Sequence, residues 1–262
     1  MTLQARGLFG VFSCQNWATN RDAGGSSKLA DMNDATYHHL GTEPGHWWMD
    51  LEAPYQVTPF ALNRIVDHAT YAFVGAFAAL YRPIKGRGRM TKLDASGAVV
   101  GRTPAEDFIE MEGWRFRPPA EPALPEDAFI DRLIVHCDVI LEPPDELGEP
   151  IVVPGAGRFG YESGLQVGDT GWPTFRPPVA RVSSWLDVWL DVTHGEDGRD
   201  VDNRALAARN RPRLESALRR WEAAMARPIA RYTSPRYPAR IGRYGYYTED
   251  ETPPAAAFTP LS

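Results

Sequence analysis

The residues whose types and spacing could do chemistry fall mostly in one stretch, from Leu29 to Pro83. It opens on Asp31, Asn33, Asp34 and Thr36, short oxygen-bearing side chains in a tight loop whose freed carbonyls suit a hard cation such as calcium. His38 and His39 follow, and then His46, imidazoles that can donate to or accept from hydroxyl groups. Trp47 to Leu51 (WWMDL) alternates apolar with polar residues and reads as a strand buried on one face. After a turn at Ala53 and Pro54, Val57 to Asn63 reads as a second strand. Its far end carries Asn63, Arg64 and Asp67, where a guanidinium and a carboxylate could together meet a neutral polar ligand.

Catalytic groupings are weaker. Ser163, Ser183 and Ser184 lack a nucleophile-elbow context, and no His-Glu-x-x-His spacing occurs. His136 and Cys137 are adjacent, which sends their side chains to opposite faces of a strand. Asp50 and Asp67 could form a glycosidase pair, but structural carboxylates and an Arg64–Asp67 ion pair account for them more simply. Gly155, Gly157 and Gly160 spell G-x-G-x-x-G, yet Gly, Asp and Pro punctuation follows where a dinucleotide site needs a helix. The expectation is a protein without catalytic residues.

The order of these motifs resembles the discoidin-like (coagulation factor 5/8 type C) domain, in its fucolectin, or F-type lectin, branch. Ala30, Asp31, Met32, Asn33 and Thr36 are similar to the family's calcium loop, Trp47 to Leu51 to its paired-tryptophan strand, and Asn63, Arg64 and Asp67 to its arginine corner. Cys137, Asp138 and Val139 resemble the family's closing Cys-Glu-Val, which implies that Asp138 and the carbonyl of Cys137 complete a calcium shell with Asp31, Asn33 and Thr36. The resemblance implies an antiparallel β-sandwich of jelly-roll type and a shallow saccharide pocket drawn from His38, His39 or His46 with Arg64 and Asp67. It also departs from the family: Ala72 stands where a second basic residue grips fucose, and Ile65 and Val66 stand where the family has one residue. A fucose triad is therefore incomplete, and fucose is not the expected ligand.

The elements that must position these residues are short strands and turns. In 262 residues there are 23 Gly, 23 Pro and 8 Trp, a composition that favours a mainly β fold over a helical bundle. A formal charge of -6 argues against a nucleic-acid partner. No apolar run approaches the ~20 residues of a membrane span, and the first residues lack the charged and apolar regions of a secretory signal. The chain is thus expected to be soluble, in the cytoplasm or in an extracellular particle.

Gly7 to Cys14 reads as a first strand, Tyr71 to Tyr81 as a buried strand, and Arg82 to Arg89 as a basic exposed turn. Lys92 to Arg102 reads as a hairpin turning at Asp94 to Gly97, and Ala105 to Phe116 as a strand pair. Arg132 to Leu141 is the expected closing strand. Cys14 and Cys137 either pair, as terminal strands of discoidin-like domains often do, or remain buried thiols.

Pro143 and Pro144 with the acidic residues after them mark a boundary, giving a domain of residues 1–143 and an extension of residues 144–262. Val179 to Val192 alternates as one or two strands presenting Trp185 and Trp189. Asp200 to Arg227 reads as helix, capped by Asp200 or Asp202, restarted at Asn210 and Pro212, with Leu214, Leu218, Trp221 and Met225 on one face. From Ile229 on, an extended arm either wraps its own domain or reaches a neighbour.

The function expected from this reading is recognition of a cell-surface or capsular glycan, as by a spike or fibre of a virus-like particle, with calcium stiffening the loop. A structural or adaptor role in a larger assembly, through protein partners or further copies bound by the extension, is the alternative. A glycan-processing enzyme carrying this module is a third.

Overall fold

A computed structural model describes residues 45–103, 110–112, 115–117, 126–145, 147–167, 173–194 and 200–248. The loop residues Asp31, Asn33 and Thr36, the imidazoles His38 and His39, the Gly7 to Cys14 strand and Cys14 itself lie outside them.

The first described strand, β1 (Gly45–Asp50), buries Trp47 and Met49 and turns His46 and Trp48 the other way, as its alternation requires. Helix α1 (Pro59–Phe77) follows, taking up most of the two segments expected as strands, Val57 to Asn63 and Tyr71 to Tyr81. Thr58 accepts a hydrogen bond from the Ala61 amide at 3.2 Å, and Pro59 sits in the first turn. Leu62, Val66, Ala69, Phe73, Ala76 and Phe77 then recur on one buried side. Tyr71, Phe73, Val74 and Phe77 favour strands locally, but a stripe of this length is satisfied by a helix laid on a sheet.

Strand β2 (Tyr81–Leu93) takes up the segment expected as a basic turn and leads through the Asp94–Gly97 turn into β3 (Val99–Arg102). The Asp94 carboxylate accepts from the amides of Ser96 and Ala98, and Gly97 takes the positive φ of 84° that the turn needs. A small antiparallel pair, β4 (Glu110–Glu112) and β5 (Arg115–Arg117), matches the expected strand pair. Strand β6 (Ala128–Leu141) is not a closing strand: it lies between β2 and β7 (Ile151–Glu162). The three glycines of G-x-G-x-x-G lie inside β7. At Gly157 a Cβ would stand 3.0 Å from the Tyr81 ring, so glycine lets that ring lie flat on the strand.

The pair β8 (Leu165–Val167) and β9 (Pro173–Phe175) precedes β10 (Val179–Ser184), and β11 (Val192–His194) pairs with β12 (Asp200–Asp202). Helix α2 (Arg204–Met225) buries Leu214, Leu218, Trp221 and Met225 as expected. It runs through Pro212 without a restart, because Pro212 lies on the exposed side, where water can satisfy the freed carbonyl. Asn203 is its N-cap, with Asp202 accepting from the Arg204 amide at 3.0 Å. Ala226, in the left-handed region at φ 50°, ends it.

The described part of the arm, as far as residue 248, folds back onto its own chain. Strand β13 (Arg231–Thr233) pairs with β1, and β14 (Ile241–Gly242) with β15 (Gly245–Tyr246). Trp47 Nε1 donates to the Gly242 carbonyl at 2.9 Å, and the Tyr246 ring meets Trp47 edge-on.

The described residues are mainly β. They form one seven-stranded antiparallel sheet of order β13-β1-β10-β7-β6-β2-β3, with α1 and α2 over one face. Phe73 stacks on Phe159 of β7 at 4.7 Å, and Phe77 meets Trp221 of α2 at 6.4 Å. Each such fully buried ring contributes about 2–3 kcal/mol. Sheet and core run across residues 143–144, where composition suggested a boundary: β6 pairs with β7, and α2 packs in the same core as α1. Two asparagines fix β6 at its ends. Asn63 of α1 donates to Ala128 O and accepts from Ile130 N, while Asn210 of α2 donates to Glu142 O and accepts from Glu142 N. Each side-chain amide stands in for a missing neighbouring strand.

Candidate functional site

The opposite face of the sheet carries no described helix, and strand register dictates what it displays. Cross-strand partners point to the same side. One row runs Arg231, Trp48, Arg181, Gly160, Ile134, Arg87 from β13 to β2. Beside it runs Thr233, His46, Ser183, Arg158, His136, Lys85. On the other side runs Asp50, Val179, Glu162, Arg132, Arg89. A chain of net charge -6 thus gathers cations on one surface, with Asp50 and Glu162 as the acidic members of these rows.

Several of these cations have partners. Arg231 bonds Asp50 at 3.0 Å, Arg132 lies 3.7 Å from Glu162, and Arg89 joins Arg102 on the buried Asp131. The central Arg158 and Arg181 have no carboxylate at ion-pair distance among the described residues. Arg158 lies 4.5 Å over the Trp185 ring, and its Nε is buried without a hydrogen-bond partner. Burial, then Arg181 and Arg132, lowers the pKa of Arg158. Burial and Arg132 do the same to Arg181, against a pull from Glu162. The His46 imidazole, 2.8 Å from the Ser183 hydroxyl, is pushed down to about 4 by burial and then by Arg181 and Arg158. His136 is lowered by burial and by Arg158, Lys85 and Arg87. Burial is the first cause of all four shifts and neighbouring guanidiniums add to it, so each shift disfavours added positive charge on this face.

Between these side chains the sheet has a hollow of about 70 Å3, floored by Gly160 and walled by Trp48, Arg132, Val179 and Arg181, with Glu162 at its rim. A Cβ on Gly160 would meet Arg181 Nε and the Leu133 carbonyl at 3.8 Å, so glycine keeps the floor open without being sterically required. His46 packs on Trp48 at 5.0 Å, and Arg231 lies 5.9 Å over the same ring.

The grouping expected from sequence assembles in part. His46 is on this face. Arg64 and Asp67 are on α1, across the sheet from His46, because their segment is helical; both are exposed, and Arg64 lies 5.9 Å over Phe60. His46, Arg64 and Asp67 therefore do not share a pocket. Asp50 and Asp67 are also apart, with Asp50 held by Arg231. Asp138 spends its oxygens on Arg82 at 2.6 Å and on the Gly155 amide at 3.1 Å. Cys137 is a free, buried thiol within the β6 ladder, pushed up by burial and by Asp138. Among the described residues no three His, Cys, Asp or Glu side chains gather as cation ligands. Trp185 faces the open side, whereas Trp189 is buried and donates to Ser184 Oγ.

Arg132, Arg158 and Arg181 were not singled out in the sequence, although a signal exists. In R-F-G-Y-E (Arg158 to Glu162) and A-R-V-S-S-W (Ala180 to Trp185) the polar members alternate with Phe159, Tyr161 and Val182, which places them on the face away from the core. Comparison with protein-family models, curated proteins and solved structures found no match to this chain. Among the described residues no helix is long and apolar enough to cross a membrane.

Proposed function

We propose that the chain is a non-catalytic binding protein for an acidic cell-surface or capsular polysaccharide, held on the open face of the sheet. One observation carries this reading: Arg158 and Arg181 lie together beside tryptophan rings and a hollow, with no carboxylate at ion-pair distance among the described residues. Unpaired guanidiniums attract carboxylate, sulfate or phosphate oxygens strongly, whereas an uncharged sugar offers them little. This shifts the expected ligand from neutral to acidic saccharide, and it does not depend on a discoidin-like sandwich. Base stacking on this face is disfavoured, because Trp48 is flanked by His46 and Arg231 and Trp185 is covered by Arg158. The test is a glycan array carrying uronate-rich, sulfated and neutral polysaccharides, read at low and high salt. Binding to acidic glycans that weakens as salt rises is expected; binding to neutral glycans alone refutes the reading. A parallel array with chelator tests calcium at Asp31, Asn33 and Thr36.

A second reading, a structural or adaptor component, is favoured by the exposed rings of Tyr55, Phe60 and Tyr71 on and before α1. Light scattering over a concentration series tests it, and a chain that stays monomeric counts against self-assembly through that surface.

A further inference from the structure

We infer that the hollow over Gly160 is a subsite for a single oxyanion borne by the ligand, a carboxylate or a sulfate or phosphate ester, held by Arg181 with Arg132 beside it. The inference rests on the reading of the open face as a binding surface. Size is the first argument. At about 70 Å3 the hollow is roughly half the ~150 Å3 of a cavity that holds benzene, so it takes one functional group and not a ring.

Charge is the second argument. Arg181 projects into the hollow from β10 and Arg132 from β6, on opposite sides of Gly160 in β7, so an anion there is approached by guanidiniums from two strands. Arg132 shares its charge with Glu162 at 3.7 Å, and Arg181 has no such partner among the described residues, so the oxyanion sits nearer Arg181. Val179 and Trp48 line the apolar part of the wall and Glu162 stands at the rim, so the cationic groups that face an anion in the hollow are Arg181 and Arg132, and they form charge-assisted hydrogen bonds with it. The third argument is the floor. Gly160 has an ordinary strand conformation and room for a side chain, so its lack of one leaves the hollow open without serving the backbone.

The experiment uses the full chain, Gly160→Val and Arg181→Met. Each is titrated with oligogalacturonate, dextran sulfate, uncharged dextran and a single-stranded oligothymidylate. Sodium sulfate is titrated separately while the backbone amides of Ile134 and Tyr161, which line the hollow, are followed by NMR. Valine suits a strand and meets nothing closer than 3.8 Å at its Cβ, so the fold is expected to be kept, as the melting temperature will report. Losing one charge-assisted hydrogen bond should weaken the acidic probes about tenfold or more in both variants. Unchanged affinity for the acidic probes in either variant overturns the subsite, while binding of those probes still leaves the open-face reading in place. Dextran bound as well as its sulfated form also overturns the subsite. Saturable sulfate shifts that vanish in both variants, without binding of any saccharide, uphold the subsite and refute the polysaccharide reading. Oligothymidylate bound more tightly than the acidic saccharides, and weakened by both variants, again upholds the subsite and reassigns the ligand. Oligogalacturonate bound in preference to dextran sulfate identifies the group as carboxylate, and the reverse as an ester.

Discussion

A residue kept for binding should cost the fold something, and Arg181 allows that to be measured. Its guanidinium is disfavoured in the folded state by burial and by Arg132, it in turn disfavours charge on Arg158, and Glu162 alone pulls the other way. Replacing it with Met keeps the apolar stem on the sheet and removes the charge. Each like-charged neighbour in such a lattice costs about 0.2–1 kcal/mol, and an opposite charge returns about as much. Two repulsions relieved, one attraction lost and a desolvated charge removed leave Arg181→Met more stable by about 0.5–1.5 kcal/mol. For a chain of this size that is a melting temperature higher by about 1–5 °C. Urea unfolding with an unchanged m-value is the assay, repeated at high salt, where the gain should shrink. The Arg158→Met change forfeits the contact with Trp185, worth about 0.5–1 kcal/mol, and should be closer to neutral. The double variant should gain less than the sum of the single changes, because the repulsion between the two can be relieved once. A loss of more than about 1 kcal/mol in Arg181→Met would refute the reasoning, since Arg181 would then be a structural tie and its lack of a partner no sign of a ligand.

Other outcomes are expected. Asn210→Leu strips Glu142 N and O of their partner, Asn63→Leu strips O of the buried Ala128 and N of the buried Ile130, and each should cost about 2–4 kcal/mol by denaturant titration. Asp131→Asn leaves Arg89 and Arg102 facing a neutral group and should cost about 2–3 kcal/mol, discounted because both arginines are partly exposed. His46 is neutral when folded, with its pKa lowered from 6.5 to about 4, so between those pH values the unfolded chain takes up a proton that the folded chain refuses. Stability should therefore fall as pH drops through that window, by about 1–2 kcal/mol after allowing for the exposed part of the ring. His46→Gln should flatten that slope, and a slope left unchanged would show that other groups produce it.

What could be read from the chain was what local geometry dictates. The alternation of Trp47, Met49 and Leu51 gives β1, the Asp94–Gly97 turn gives the β2–β3 hairpin, and the stripe Leu214, Leu218, Trp221, Met225 gives the buried side of α2. The same rule also marked α1, through Thr58, Pro59 and the spacing of Leu62, Val66, Ala69 and Phe73. Strand-favouring aromatics and the motif resemblance pointed elsewhere, and burial against the sheet outweighed that propensity.

Tertiary structure decided which strands are neighbours, and with that where the candidate site lies. Arg132, Arg158 and Arg181 come from β6, β7 and β10 and share one surface because those strands pair in that order and in that register. A register shifted by one residue would turn the same guanidiniums into the core. Periodicity within a strand follows from the backbone and is written locally. Register between strands is set by how all the apolar faces are buried at once, so the net charge of -6 gave no hint that one face of the sheet is basic.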